Sequence, residues 1–293
     1  MTHPLTPALT ARKQLIAQRF SLAQSYDEHA FIQQEVCEQL VALVLNPHQA
    51  SVLEIGAGSG QLTRLLAQTL QSEHWLINEL CQTHAQTLQQ IIPNATLHIG
   101  DAECSPYSDI SRLDAGLDYG LGNGLGNGLG KGLGKNHSLI ISANAIQWFD
   151  SPLGLIAQAA GQLRSEGQLL FSTFTPTHFH ELKTLTGQGL HYPSEHDWRA
   201  ELDKFGFTTH YCAPYRRSLT FATPYEVLRH LKATGVTAIA PTSHPDQDKM
   251  AQAPFWNKQR LAEFEQRYRE QFATSDGQVT LTYEALLISA QLP

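Results

Sequence analysis

Apolar residues recur every four positions at Ile32, Val36, Leu40 and Val44, with Cys37, Val41 and Leu45 beside them. Side chains so spaced share one face of a helix, and the stripe is broad enough to be buried. Residues 11–45 therefore read as two helical pieces that form an N-terminal cover, the second closed by Pro47. The period then changes. Residues 51–55 are a short apolar run leading into glycines, and Leu62, Leu65, Leu66 and Leu70 return to helical spacing. Residues 75–80 read as a second strand, a helix follows and ends near Pro93, and residues 96–100 read as a third strand. Strands alternating with helices predict βαβ units and a mostly parallel sheet.

The pattern breaks at residues 120–135, where a four-residue unit repeats as GLGN, GLGN, GLGK, GLGK. Glycine at every second position leaves too much backbone entropy and too little side-chain area for a packed core, so residues 116–136 read as a flexible surface insertion. A strand at 138–142 resumes the core pattern, followed by a helix at 152–163, a turn at Gly167 and a strand at 168–174. Residues 207–212 and 217–221 read as strands, 225–233 and 257–272 as helices, and 279–290 as the last strand. The late helices, within residues 222–275, are expected to pack over the carboxyl edge of the sheet as a substrate cover. The whole chain, 1–293, reads as one domain.

Composition narrows the function classes. With 42% hydrophobic residues, the chain can bury a sizeable core. A net charge of −7 argues against general nucleic-acid binding, which needs a basic face to displace counterions. Cys37, Cys81, Cys104 and Cys212 make no C-x-x-C pair and read as reduced thiols. Residues 1–10 lack the basic start and apolar run of a secretory signal, and the densest apolar stretch, 40–45, is too short to span a bilayer, so a soluble, cytoplasmic protein is expected. The spacing of His178 and His180 matches no ligand pattern, and no metal is expected.

The strongest chemical signal is Val52-Leu53-Glu54-Ile55-Gly56-Ala57-Gly58-Ser59-Gly60, a strand feeding a glycine turn that opens a helix. Gly56, Gly58 and Gly60 let a ligand approach the backbone, and the helix start offers free N–H groups. Such a turn serves a dinucleotide or S-adenosylmethionine. Gln61 stands where the third glycine of a dinucleotide fingerprint belongs, and Glu54 suits a cationic ligand better than a pyrophosphate. Glu79, ending the second strand, can accept both ribose hydroxyls. Asp101, after the third strand, can take an adenine amino group while the small Ala102 lets the ring lie close, although an Asp there is also a common turn former.

Residues 53–60, Glu79, Gly100-Asp101-Ala102 and the strand before Asn144 resemble the motifs of class I S-adenosylmethionine-dependent methyltransferases. Three further segments resemble one family among them, the malonyl-[acyl-carrier protein] O-methyltransferases of biotin synthesis. They are Arg19-Phe20 with Ser25-Tyr26-Asp27-Glu28-His29-Ala30, the segment 142–149 containing Gln147-Trp148, and Leu231-Lys232-Ala233-Thr234-Gly235-Val236. The closing Leu281-Thr282-Tyr283-Glu284 is similar to that family's last strand.

The resemblance implies a Rossmann-like α/β fold with a mostly parallel seven-stranded sheet, helices on both faces and a helical insertion before the last strand. It also implies methyl transfer from S-adenosylmethionine to a malonyl carboxylate, with S-adenosylhomocysteine as the product. That carboxylate is ionised at neutral pH, so no general base is needed. Tyr26 either closes over the cofactor and touches the reacting carboxylate or packs one helix on another. Gln147 and Trp148 follow the fourth strand at the ligand-binding edge, and Trp148 forms a pocket wall or core. Lys232 pairs with the malonyl carboxylate or a carrier phosphate, or is simply solvated. Carrier proteins are acidic; Arg216, Arg217, Arg229 and Lys232 outnumber Glu226 by three charges between residues 213 and 235, a candidate docking face. The readings left beside this one are methylation of another small carboxylate or a quinone precursor, a non-catalytic cofactor-binding assembly factor, and a nicotinamide oxidoreductase.

Overall fold

The computed structural model describes residues 9–22, 30–104, 137–187, 189–234 and 257–293. The glycine repeat, Tyr26 and residues 235–256 lie outside them. Among the described residues, α1 (Ala11–Leu22) and α2 (Phe31–Val41) precede the sheet. Then follow β1 (His48–Ile55), α3 (Gln61–Thr69), β2 (Gln71–Glu79), α4 (Ala85–Ile91), β3 (Thr96–Ile99) and β4 (His137–Ser142). The second half contains α5 (Gly154–Gln162), β5 (Leu163–Phe174), α6 (His180–Thr186), α7 (Glu195–Lys204), β6 (Thr208–Phe221), α8 (Pro224–Ala233), α9 (Lys258–Phe272) and β7 (Val279–Gln291). The seven strands are ordered β3-β2-β1-β4-β5-β7-β6, with β7 antiparallel to both its neighbours and the remaining pairs parallel. Among the described residues no helix is long and apolar enough to cross a membrane.

Strands covered on both faces need apolar side chains at every position, which is why the central strands read as continuous hydrophobic runs. Alternate residues divide between two cores. Leu53, Ile140, Leu169 and Phe171 pack with Leu155 and Ile156 of α5 and with Trp198 and Leu202 of α7. Val52, Leu139, Ile141 and Leu170 pack with Val36 and Leu40 of α2 and Leu66 of α3.

The second half of the chain departs from its sequence pattern in three places. β6 is one strand where two were expected, paired with β7 along its length, and the interrupting Pro214 is tolerated because β6 is the sheet edge. β5 begins at Leu163, before Gly167; Glu166 adopts φ 61° and the β4–β5 register shifts there, so the expected turn is an irregularity inside a strand. α6 and α7 carry no clear periodic signal. α7 buries only Trp198 and Leu202 among polar neighbours, and a Ser194–Asp197 capping box starts it.

Residues 279–284 of β7 run past the carboxyl end of β5, paired to β6, with one further bridge from Val279 to Ala273. On this extension sit α8 through Val227 and Leu231, α9 through Phe264 and Tyr268, and α6 through Phe179 and Leu185. Tyr268 also donates to the Thr280 carbonyl at 2.6 Å. Among the described residues two helices thus lie between β6 and β7, beyond the edge at which the parallel strands end.

Candidate active site

The first parallel strand ends in a turn that only glycine can make. Gly56 and Gly58 have φ of 69° and 57°, in the left-handed region. A Cβ on Gly56 would lie 2.4 Å from that of Ala145, whereas one on Gly58 would meet nothing within 4 Å. Both residues line a cavity of about 300 Å³ at the carboxyl ends of β1, β2, β3 and β4. Gly60, also left-handed, does not line it; it caps the start of α3, with Ile91 too close for a side chain.

Glu79 forms the next part of the wall. Gly58 N–H donates to its Oε2 at 2.8 Å, Cys81 N–H to its Oε1 at 2.8 Å, and His84 Nδ1 lies 3.4 Å away. Burial alone would push the Glu79 carboxyl up, but hydrogen bonds from His84, Cys81 and Gly58 outweigh it and hold it below the ordinary carboxylate range. It is therefore an anion with acceptor capacity left over, since two carboxylate oxygens offer about four lone-pair sites. Glu79, Cys81 and His84 also form the cluster of metal-capable ligand atoms found among the described residues, within 4.8 Å of one another.

Asp101 and Ala102 close the adjoining side, with Lys13 over them from α1. Lys13 Nζ lies 3.2 Å from Asp101 Oδ1 and 2.7 Å from Glu103 Oε2, and 5.0 Å over the Phe149 ring. Ile16, Phe20 and Ser21 extend the same helix face across the cavity, and Phe20 meets Trp148 edge-on at 5.5 Å. Asn144, with φ 54°, lines the far wall, held by Ser172 Oγ on its N–H and by Gln33 O on its side-chain amide.

Glu54 differs from its expected role. It is wholly buried beneath the turn, accepts from Thr63 Oγ1 at 3.0 Å, and does not line the cavity. Burial pushes its carboxyl up to about 8, with the nearby charge of Glu79 adding to the shift, so at neutral pH it is mostly uncharged. The electrostatic preference for a cationic ligand read from Glu54 therefore has no charge behind it.

A methyltransferase-domain family model matches residues 26–211. The malonyl-[acyl-carrier protein] O-methyltransferase of Porphyromonas gingivalis is 36% identical over 282 residues, 95% of each chain. That of Haemophilus influenzae is 32% identical over 284 residues, covering 95% of this chain and 94% of its own. The chain belongs to the malonyl-[acyl-carrier protein] O-methyltransferase family. Among solved structures, an S-adenosylmethionine-dependent methyltransferase from Thermotoga maritima has a TM-score of 0.50 at 12% identity, covering 95% of this chain and 100% of its own. The YcgJ protein of Bacillus subtilis has a TM-score of 0.54 at 12% identity, covering 88% and 98%. The likeness to these two structures is one of fold alone; the sheet is that of the Rossmann-like methyltransferase fold, and the family implies S-adenosylmethionine as cofactor.

The other family segments are dispersed. Trp148 lines the cavity, while Gln147 beside it turns away and donates to Asn144 O at 2.6 Å. Lys232 is exposed on α8 and is not among the lining residues. The proposed docking arginines are partly neutralised by acids from other elements. Arg216 donates to Glu284 Oε2 at 2.6 Å, and Arg217 grips both oxygens of Glu35 at 2.7 and 2.9 Å. Among the described residues Arg229 and Lys232 make no salt bridge. His178 is buried and stacked 3.7 Å from Phe174, with Nδ1 accepting the Glu284 N–H, a packing role. Lys13 was missed by sequence reading, although a lysine in register with Ile16 and Phe20 on one helix face is the signal that marks it.

Proposed function

We propose that this protein transfers a methyl group from S-adenosylmethionine to the free carboxylate of a malonyl thioester on acyl carrier protein, giving the methyl ester that primes pimeloyl synthesis for biotin. The observation that carries the reading is the cavity itself. A glycine turn, an ionised Glu79, and Asp101 beside Ala102 line one pocket in a chain of this family. The donor set fits the cofactor. Glu79 has acceptor capacity for two ribose hydroxyls, Asp101 faces an adenine amino group, Ala102 leaves room for the ring, and Gly56 and Gly58 bring bare backbone to the amino-acid part. Gly60 and Glu54 act behind them by shaping the turn.

S-adenosylmethionine, when bound, would supply an electrophilic sulfonium methyl to the ionised carboxylate and would leave as S-adenosylhomocysteine. The protein's own residues bind, orient and exclude water, and good alignment alone contributes roughly 7 to 11 kcal/mol to such a step. Asn144 and Trp148 form the wall nearest the incoming carboxylate, and Gln147 fixes Asn144 through its carbonyl. Tyr26, outside the described residues, is assigned a contact with the reacting carboxylate on the family resemblance of its segment. Docking of the acidic carrier is assigned to Arg229 and Lys232, which among the described residues make no salt bridge, whereas Arg216 and Arg217 do.

A substrate panel with methyl-labelled S-adenosylmethionine tests the reading. Label should appear on malonyl-carrier protein and be absent from acetyl-carrier protein, which lacks the free carboxylate. Transfer to a quinone precursor or an unrelated small acid in preference to the malonyl thioester would reassign the substrate.

A further inference from the structure

We propose that Lys13 is a positioning residue for cofactor recognition, setting the Asp101 carboxylate from α1 so that adenine is read only when that helix is docked. The inference rests on the assignment of Asp101 to the adenine amino group. Lys13 is 3% exposed, and a buried ammonium is tolerated only when its charge is matched. Its partners are Asp101 and Glu103. Asp101 Oδ1 receives both the Lys13 ammonium at 3.2 Å and the Glu103 N–H at 3.1 Å. Among the described residues Oδ2 meets the weak donor Cys104 Sγ at 3.9 Å, so it keeps its capacity for a ligand.

Glu103 in turn cannot swing. It accepts the Asp150 N–H at 2.7 Å and the Ser151 N–H at 2.8 Å, just beyond Trp148. Arg12 pairs with Asp150 and donates to the Trp148 carbonyl at 3.0 Å, so two successive residues of α1 are fastened to the same corner. Among the described residues, the charged and titratable groups around Asp101 are thus Lys13 and Arg12 from α1, its own neighbours Glu103 and Cys104, and Asp150. Without the Lys13 ammonium, Asp101 and Glu103 are two close, poorly hydrated anions with no cation between them. Repulsion would then turn Asp101 away from its reading position.

The test compares S-adenosylhomocysteine with S-inosylhomocysteine, which carries a 6-oxo group where adenine has its amino group. Calorimetry on the full chain should show K13M weakening S-adenosylhomocysteine by roughly tenfold or more, the scale of one charge-assisted hydrogen bond, with the inosyl analogue nearly unchanged. K13Q, one atom shorter but still polar and without the charge, serves if K13M does not fold. Equal weakening of both ligands would mean that Lys13 only packs α1, and unchanged affinity for S-adenosylhomocysteine would remove any role; either overturns the proposal. D101A separates the two layers. If D101A abolishes the preference and the Lys13 variants leave it, the Lys13 inference fails alone. If D101A leaves it too, the adenine assignment of Asp101 fails and takes the inference with it.

Discussion

Replacing Glu79 with alanine should cost the cofactor site more than any other single change on its wall. The carboxylate is 5% exposed and already holds two backbone N–H groups at 2.8 Å, so its oxygens are fixed in place before a ligand arrives. Each hydrogen bond to a charged group contributes about 1.5 to 3 kcal/mol, and two ribose hydroxyls would be lost together. Even at the low end this is about 3 kcal/mol, or roughly a hundredfold in Kd for S-adenosylhomocysteine. Glu79→Gln keeps the shape and one acceptor oxygen, and should fall between, near tenfold, on the order of one lost charged bond. Titration calorimetry reads both, with the melting temperature of the ligand-free variants recorded alongside, because Gly58 and Cys81 lose their acceptor in Glu79→Ala. Binding by a folded Glu79→Ala variant within about threefold of the parent, well under 1 kcal/mol, would refute the ribose assignment.

Glu54 gives a pH signature. Its carboxyl is raised in the folded chain to about 8 against an ordinary value of 4.5, so the folded state binds a proton that the unfolded state has released between those pH values. Stability from this group is therefore full below the unfolded value and lost as pH rises towards 8. Glu54→Gln should gain on the parent as pH is raised from 5.5 to 8.5 in thermal melts, and a constant difference across that range would contradict the burial argument. Arg229→Glu with Lys232→Glu should raise KM for malonyl-carrier protein severalfold without changing turnover of a malonyl thioester that has no carrier; equal loss on both substrates would move docking elsewhere. Arg216→Glu should instead lower the melting temperature, because it places an acid against the 5%-exposed Glu284. Deleting residues 120–135 should leave turnover intact, and a large loss would show that the glycine repeat takes part in the reaction.

The legible part of the site is the part built by consecutive residues. In a parallel sheet the ligand edge is where the strands end, so Gly56, Gly58, Glu79, Asp101 and Asn144 could each be placed from the residues around them. What stayed hidden depends on partners distant in the chain. Lys13 gains its meaning from Asp101, 88 residues on, and Arg217 loses its free charge to Glu35, 182 residues back. Glu54 shows a related limit: its spacing put it beside the ligand, but the alternation of β1 directs it under α3 instead. The second half of the sheet was harder to read because β6, an edge strand, tolerates Pro214, and because α7 needs only two buried anchors.

The central claim, that the malonyl carboxylate is the methyl acceptor, is tested most directly by intact-mass analysis of malonyl-acyl carrier protein after incubation with this protein and S-adenosylmethionine. The account predicts a gain of one methyl group, located by fragmentation on the malonyl arm, and no gain on acetyl-carrier protein. An unmodified malonyl arm, in a preparation that binds S-adenosylhomocysteine normally, would keep the fold and the cofactor and contradict the substrate.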